Sequence, residues 1–195
     1  MWVRAAAIRP VPGYAVIDSE VMSRIGEELA GEDADATKGD LDRAFARFEE
    51  SQGPLSDFMT EVLAQPFDQE ALALGYFLAI AVWLGFDRAF GRRLGRVPED
   101  AIRATQEAVA LEEELRAAHG EEPLDLDDVV AIEQPGVMRF VNEHVDVALE
   151  IGDGHASEVD VDDVHAVYRA IVVLTLALSH AVEPEKGVRP REMMA

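Results

Sequence analysis

The chain has 195 residues, 49% of them apolar, with 39 acidic against 17 basic side chains and a formal net charge of −22. That length and apolar content suit one globular domain with a sizeable core, and they exclude a wholly disordered or collagen-like chain. The absence of cysteine excludes disulfides, thiolate metal sites, iron–sulfur clusters and Cys nucleophiles. A field this acidic repels phosphate backbones and anionic lipid heads, so neither nucleic acid nor a membrane surface is an expected partner.

From the N-terminus, residues 1–17 carry Pro10, Pro12 and Gly13 and read as an extended arm. The apolar run there is too short for a signal peptide, and cytoplasm is the expected compartment. Asp18 or Ser19 then caps a helix with the apolar stripe Val21, Met22, Ile25 and Leu29, which Gly31 ends. An acidic loop is expected over 31–40. Leu41, Ala44, Phe45 and Phe48 mark the next helix, stopped at Gly53-Pro54. Leu55, Phe58, Met59, Val62 and Leu63 mark a third, which ends before Pro66.

A long apolar helix is predicted over 68–94. Its uncharged stretch, residues 71–86, spans about 24 Å as a helix, short of the roughly 30 Å of a bilayer core, and reads as the buried centre of a bundle. The small residues Ala71, Gly75 and Ala79 recur every fourth position and would let a second helix approach closely. Arg88, Arg92 and Arg96 are spaced to share one face of this helix near its C-terminus, where cations complement the macrodipole or could meet an acidic partner. Pro98 suits the first turn of the next helix. Along it Ala101, Ala104, Ala108, Leu111 and Leu115 alternate steps of three and four, a short heptad-like seam.

Residues 119–123 read as a polar linker. Residues 124–132 (LDLDDVVAI) and 159–167 (VDVDDVHAV) read alike, each placing an Asp N-cap and acids at a helix start, near Asp127 and Asp162. Pro135 starts an amphipathic helix to about Glu150 with Val137, Val141, His144, Val145 and Ala148 inward. A second apolar helix follows over 162–182, and residues 183–195 read as a tail. The sum is an all-α globular bundle of about seven helices, one domain over 18–182, with the two apolar helices 68–94 and 162–182 at its centre. Phe58/Glu61 and Phe140/Glu143 open corresponding helices, each followed by a long apolar one, which hints at two similar halves.

Motifs for catalysis are sparse. Residues 91–96 (GRRLGR) lack the Lys-Ser/Thr of a P-loop, Gly152-Asp153-Gly154 lacks the third glycine of a dinucleotide fingerprint, and no serine sits in a nucleophile elbow. The best route to chemistry is a divalent metal held by His144, His165, Asp162 and Glu143, imidazoles and carboxylates being the ligands that zinc or iron would take from a bundle. Residues 153–163 are rich in oxygen ligands but depart from the EF-hand pattern. The expected function is therefore non-catalytic: binding a protein partner or a second copy through Leu111 and Leu115, with Arg88, Arg92 and Arg96 as further contacts. The alternatives are the metal site, and an apolar ligand held between the central helices by Tyr76, Trp83 and Tyr168. Fifteen arginines against two lysines fit a chain from a high-salt or GC-rich source, in which the acidity serves solubility.

Overall fold

The structure, a computed structural model, describes residues 8–29, 34–118, 133–152 and 160–185. Within them the chain forms seven α-helices: α1 (Ser19–Leu29), α2 (Ala34–Ser51), α3 (Gly53–Leu63), α4 (Gln69–Phe90), α5 (Glu99–Ala118), α6 (Pro135–Gly152) and α7 (Val161–Ala181). Short 3₁₀ turns lie at Gly13–Ala15 and Gly91–Arg93. The architecture is the all-α bundle expected, with the apolar helices α4 and α7 at the centre.

Those two helices run parallel, because they are joined at both ends. At the N-terminal end Asp68 caps α4 by accepting the Ala71 amide at 2.6 Å, and its other oxygen accepts the Asp160 amide at 2.8 Å. Asp163 returns the contact, accepting the Asp68 amide at 2.8 Å, while Asp160 caps α7 by accepting the Asp162 amide. At the C-terminal end Leu94 and Val182 form an antiparallel bridge, with Gly95 N–H donating to Ala181 O at 2.9 Å and Glu183 N–H to Arg93 O at 2.7 Å. Between the ends, the small stripe does what its spacing implies. Ala71, Gly75 and Ala79 are buried, and a Cβ on Gly75 would come within 2.6 Å of Leu63 and 3.1 Å of Val167. Asp68 thus satisfies amides of both central helices. Its replacement by Ala is expected to cost about 1–3 kcal/mol, the range for a cap plus a second charge-assisted bond. Urea unfolding measures it, and a loss below roughly 0.5 kcal/mol would mean water serves those amides equally well.

The flanking helices then cover the pair. Met22 and Ile25 of α1, Phe48 of α2, Leu55 and Met59 of α3, Val137, Met138 and Val141 of α6 are all buried against it. Trp83 is packed on Phe48 with ring centroids 5.5 Å apart. α5 turns Ile102 and Val109 inward and is tied to α7 by the Arg169–Glu113 ion pair at 2.6 Å.

Two buried glutamines, Gln52 and Gln134, make the same lock twice. Gln52 accepts the Val97 amide at 2.9 Å and donates to Gly95 O at 2.9 Å. Gln134 accepts the Ile17 amide at 3.0 Å and donates to Ala15 O at 2.6 Å and Ser179 Oγ at 2.9 Å. Each stands just before a Gly-Pro or Pro-Gly pair at the start of a helix, α3 or α6, and each holds the extended segment that leads into another, α5 or α1. The glutamine of each half therefore holds a segment of the other.

Several boundaries differ from the sequence reading, for local reasons. Residues Ala34–Asp40, expected as loop, form the first turns of α2. Their alanines, and the i to i+3 pairing of Asp40 with Arg43, are compatible with helix despite the acids. α4 ends at Phe90 rather than 94, because Gly91 takes φ 50° and donates its amide to Asp87 O. α7 starts at Val161, capped by Asp160 rather than Asp162. The segment 8–17 is extended apart from its 3₁₀ turn, but it is part of the core, with Ile8, Ala15 and Ile17 buried. The helix expected near Asp127 lies outside the described residues, as do 183–195 beyond Glu185.

Candidate functional site

The residues proposed from sequence for a metal site are not gathered. His144 lies half-buried on α6, its ring centroid 4.2 Å from Phe140 and 5.0 Å from Phe77, with Nδ1 2.8 Å from Phe140 O. That bond places the proton on Nδ1 and leaves Nε2 as the imidazole's remaining polar atom. Glu143 is exposed beside it. His165, the second imidazole proposed as a ligand, is exposed, because α7 buries Val164, Val167, Ala170 and Ile171 and turns its neighbours outward. Asp162 is exposed in the first turn. Among the described residues no three His, Cys, Asp or Glu side chains are placed to hold a metal ion. Of the oxygen-rich stretch 153–163, residues 153–159 lie outside the description, while Asp160 and Asp163 already accept backbone amides.

The arginines are likewise separated. Arg88 remains on α4 and pairs with Glu28 of α1. The helix stop at Phe90 puts Arg92 in a 3₁₀ turn and Arg96 in the extended run beyond, so no common helical face exists. The aromatic ligand site between the central helices is also not formed as expected. Trp83 is 1% exposed, and its ring is in contact with Phe48 and with the Arg47 guanidinium, 5.4 Å from its centroid.

The seam on α5 divides into two parts. Ile102 and Val109, not the alanines, make the buried ridge. Ala101, Ala104 and Ala108 line an open cavity toward α7, while Leu111 and Leu115, farther along, remain 48% and 40% exposed. The cavity has a volume of about 480 Å³. Leu176 and Ala177 of α7 form its opposite wall, and Arg9, Arg96, Thr105, His180 and Glu183 are its polar lining residues. Three alanines facing this space leave room that larger side chains would fill in an ordinary core.

His180 is the unusual group here. Its Nδ1 is buried and has no hydrogen-bond partner among the described residues. Burial holds its imidazole below the ordinary value, the nearby Arg9 guanidinium adds to that, and Glu133 opposes it. Glu133 is itself fixed by the Val11 amide, which it accepts, so the 8–12 segment is tied down at the cavity mouth. Arg9 and Arg96 have no ion-pair partner among the described residues, although acids outnumber bases more than two to one.

Sequence reasoning passed over Gln52, Gln134, Arg9 and His180. The glutamines carried one signal, a Gln beside Gly-Pro or Pro-Gly with a Phe six residues on, in both halves. Arg9 and His180 are 171 positions apart and carried none. Comparison of the chain with protein-family models, with curated proteins and with solved structures returns no match.

Proposed function

We propose that the protein is a binding module without chemistry of its own, and that it works by pairing with a second copy of itself through α5. The observation that carries this reading is the exposed pair Leu111 and Leu115, one helical turn apart on a helix whose opposite ridge, Ile102 and Val109, is spent on the core. A twofold interface places the same patch on both sides, and two leucines at i, i+4 can interdigitate with their copies across such an axis. The alanine half of the seam lines the cavity, and the leucine half is the part this reading assigns to the interface.

Charge sets the conditions. Glu107 and Glu114 flank the seam and are exposed. In a symmetric pair like charges of this kind face one another, and they add to the repulsion between two chains of −22. Salt screens such exposed charges within about 3 Å at 1 M, against about 10 Å at 0.1 M. The association is therefore expected to strengthen with ionic strength. The reading keeps the cytoplasm as the compartment; although α4 and α7 are, as whole helices and contrary to the shorter span read from residues 71–86, long and apolar enough to cross a bilayer, two thirds of their most apolar stretch is buried inside the bundle, which supports a core role for both.

The test is the double variant Leu111→Glu/Leu115→Glu in about 2 M KCl, with native mass read by light scattering. Both positions are exposed, so the fold should be retained, with a stability change within about 0.5 kcal/mol. The wild type is expected at twice the chain mass and the variant at one. Equal masses for the two would remove α5 as the interface.

A further inference from the structure

The alanine-walled cavity and the two exposed leucines belong to one stripe of α5. Ala101, Ala104, Ala108, Leu111 and Leu115 follow one another in steps of three and four, so they share one side of the helix over about 21 Å. The stripe is small at its N-terminal end, where it lines the cavity, and large at its C-terminal end. We infer that the second copy lies antiparallel, with its leucines seated on the alanines of the first. The partner's Leu115 then meets Ala104 in the cavity wall, the partner's Leu111 meets Ala108, and the twofold axis returns both contacts. This rests on the pairing through α5 proposed above, and adds to it the orientation of the copies and an occupant for the cavity.

Area requires the whole stripe. A stable interface buries roughly 800 Å² on each partner, and two half-exposed leucines present far less. The alanine half must be covered as well, and it is open: Ala104 is exposed, and a cavity of about 480 Å³ lies beside it. Size then selects the direction. The distance between packed helices, about 8–10 Å, is set by the side chains at the contact. In a parallel pair leucine meets leucine at one end of the stripe and alanine meets alanine at the other. The axes are then held apart by the leucines, and the alanine end stays unfilled. In the antiparallel pair every leucine meets an alanine, so the separation is even along the stripe. One twofold operation places leucines at both cavities, because each copy carries the knob and the hole that receives it. The axis falls between Ala108 and Leu111, which keeps the two Leu111 side chains adjacent across it, and opposed helix dipoles favour the same direction. Glu107 and Glu114, both exposed, flank the stripe seven residues apart. In this register Glu107 of each copy faces the partner's Glu114, and the two like-charge contacts add to the repulsion that salt must screen.

The experiment uses the full chain, which has no cysteine of its own. Ala104→Cys and Leu115→Cys are made singly, both at exposed positions, then mixed in dilute buffer, brought to about 2 M KCl and mildly oxidised. In the antiparallel pair position 104 faces position 115 of the partner. Each position lies about 16 Å along the helix from its own copy, beyond the roughly 7 Å between Cα atoms that a disulfide spans. The mixture is expected to shift from one chain mass to two on a non-reducing gel, and either variant alone to stay at one. Self-crosslinking of Leu115→Cys alone, or no crosslink in a mixture whose native mass is two chains, would overturn the antiparallel seat and leave the pairing standing. A native mass of one chain for the wild type at that salt would overturn both. Charge reversal reads the register without cysteine. Glu107→Lys and Glu114→Lys should each move association to lower salt, by turning both contacts into opposite pairs, and the double variant should return to the high salt requirement because like charges face again. A double variant that associates at lower salt than either single would overturn the register.

Discussion

Replacing Gln134 by Ala is expected to remove about 3–5 kcal/mol of stability, the largest loss for any single polar side chain among the described residues. Gln134 is fully buried, and so are the groups it serves. Truncation strands the Ile17 amide and the Ala15 carbonyl on residues that are 2% and 0% exposed, and deprives Ser179 Oγ of a partner. Each stranded backbone group costs about 1–3 kcal/mol, and the space left by the side chain adds to it. Gln52→Ala strands Val97 N–H and Gly95 O in the same way, but Gly95 is only half-buried, and about 2–3 kcal/mol is expected. Gln134→Met keeps the volume and discards the bonds, so the difference between Met and Ala isolates packing. Urea unfolding gives all three values. A loss below about 1 kcal/mol for Gln134→Ala would show that water enters and serves both groups.

Gly136→Ala should be nearly as costly for a different reason. A Cβ there would lie 2.8 Å from Ile17 O, 2.8 Å from Ser19 N and 3.0 Å from Ser19 Cα. All three are backbone atoms, so no side chain can turn away, and α6 must move off the segment that enters α1. That segment is the one Gln134 holds, and displacing it breaks the lock. A penalty of about 2–4 kcal/mol is expected, or a Tm lower by roughly 4–16 °C for a chain of this size. Gly13→Ala is the control, since a Cβ there meets nothing within 4 Å, and it should be neutral or slightly stabilising. Combined with Gln134→Ala, Gly136→Ala should cost less than the sum, because both act on one contact.

These two residues show where the sequence was legible and where it was not. The central helices were readable because uninterrupted apolar runs of this length have few homes other than a bundle core, and α4 and α7 occupy it. The Ala71-Gly75-Ala79 stripe was readable because a four-residue spacing maps to one helical face. Gln134 was not. A glutamine beside Pro-Gly has the composition of a turn, and its value comes from backbone groups more than a hundred residues away. His165 failed in the opposite way, sitting in an apolar stretch of sequence but one residue off the buried ridge. The α5 seam was half right: its spacing was helical and apolar, yet Ile102 and Val109 took the core-facing role. Nothing local separates those two registers, because the choice depends on where α7 lies. The cavity was illegible for the same reason, its walls and rim coming from three separated stretches of chain.

The acidity also acquires a use in this account. Six ion pairs among the described residues consume a minority of the carboxylates, and all involve exposed or half-exposed groups that contribute little each. The remaining acids are a screening-dependent repulsion, between segments of one chain and between two chains alike. The same term opposes folding and pairing at low salt and relaxes for both as salt rises.

Native mass across ionic strength tests the proposed pairing most directly. At tens of micromolar, the wild-type protein is expected to pass from one chain mass in dilute buffer to two in about 2 M KCl, as screening removes the repulsion across α5. A single chain mass at both salts, with the helical signal intact, would contradict it.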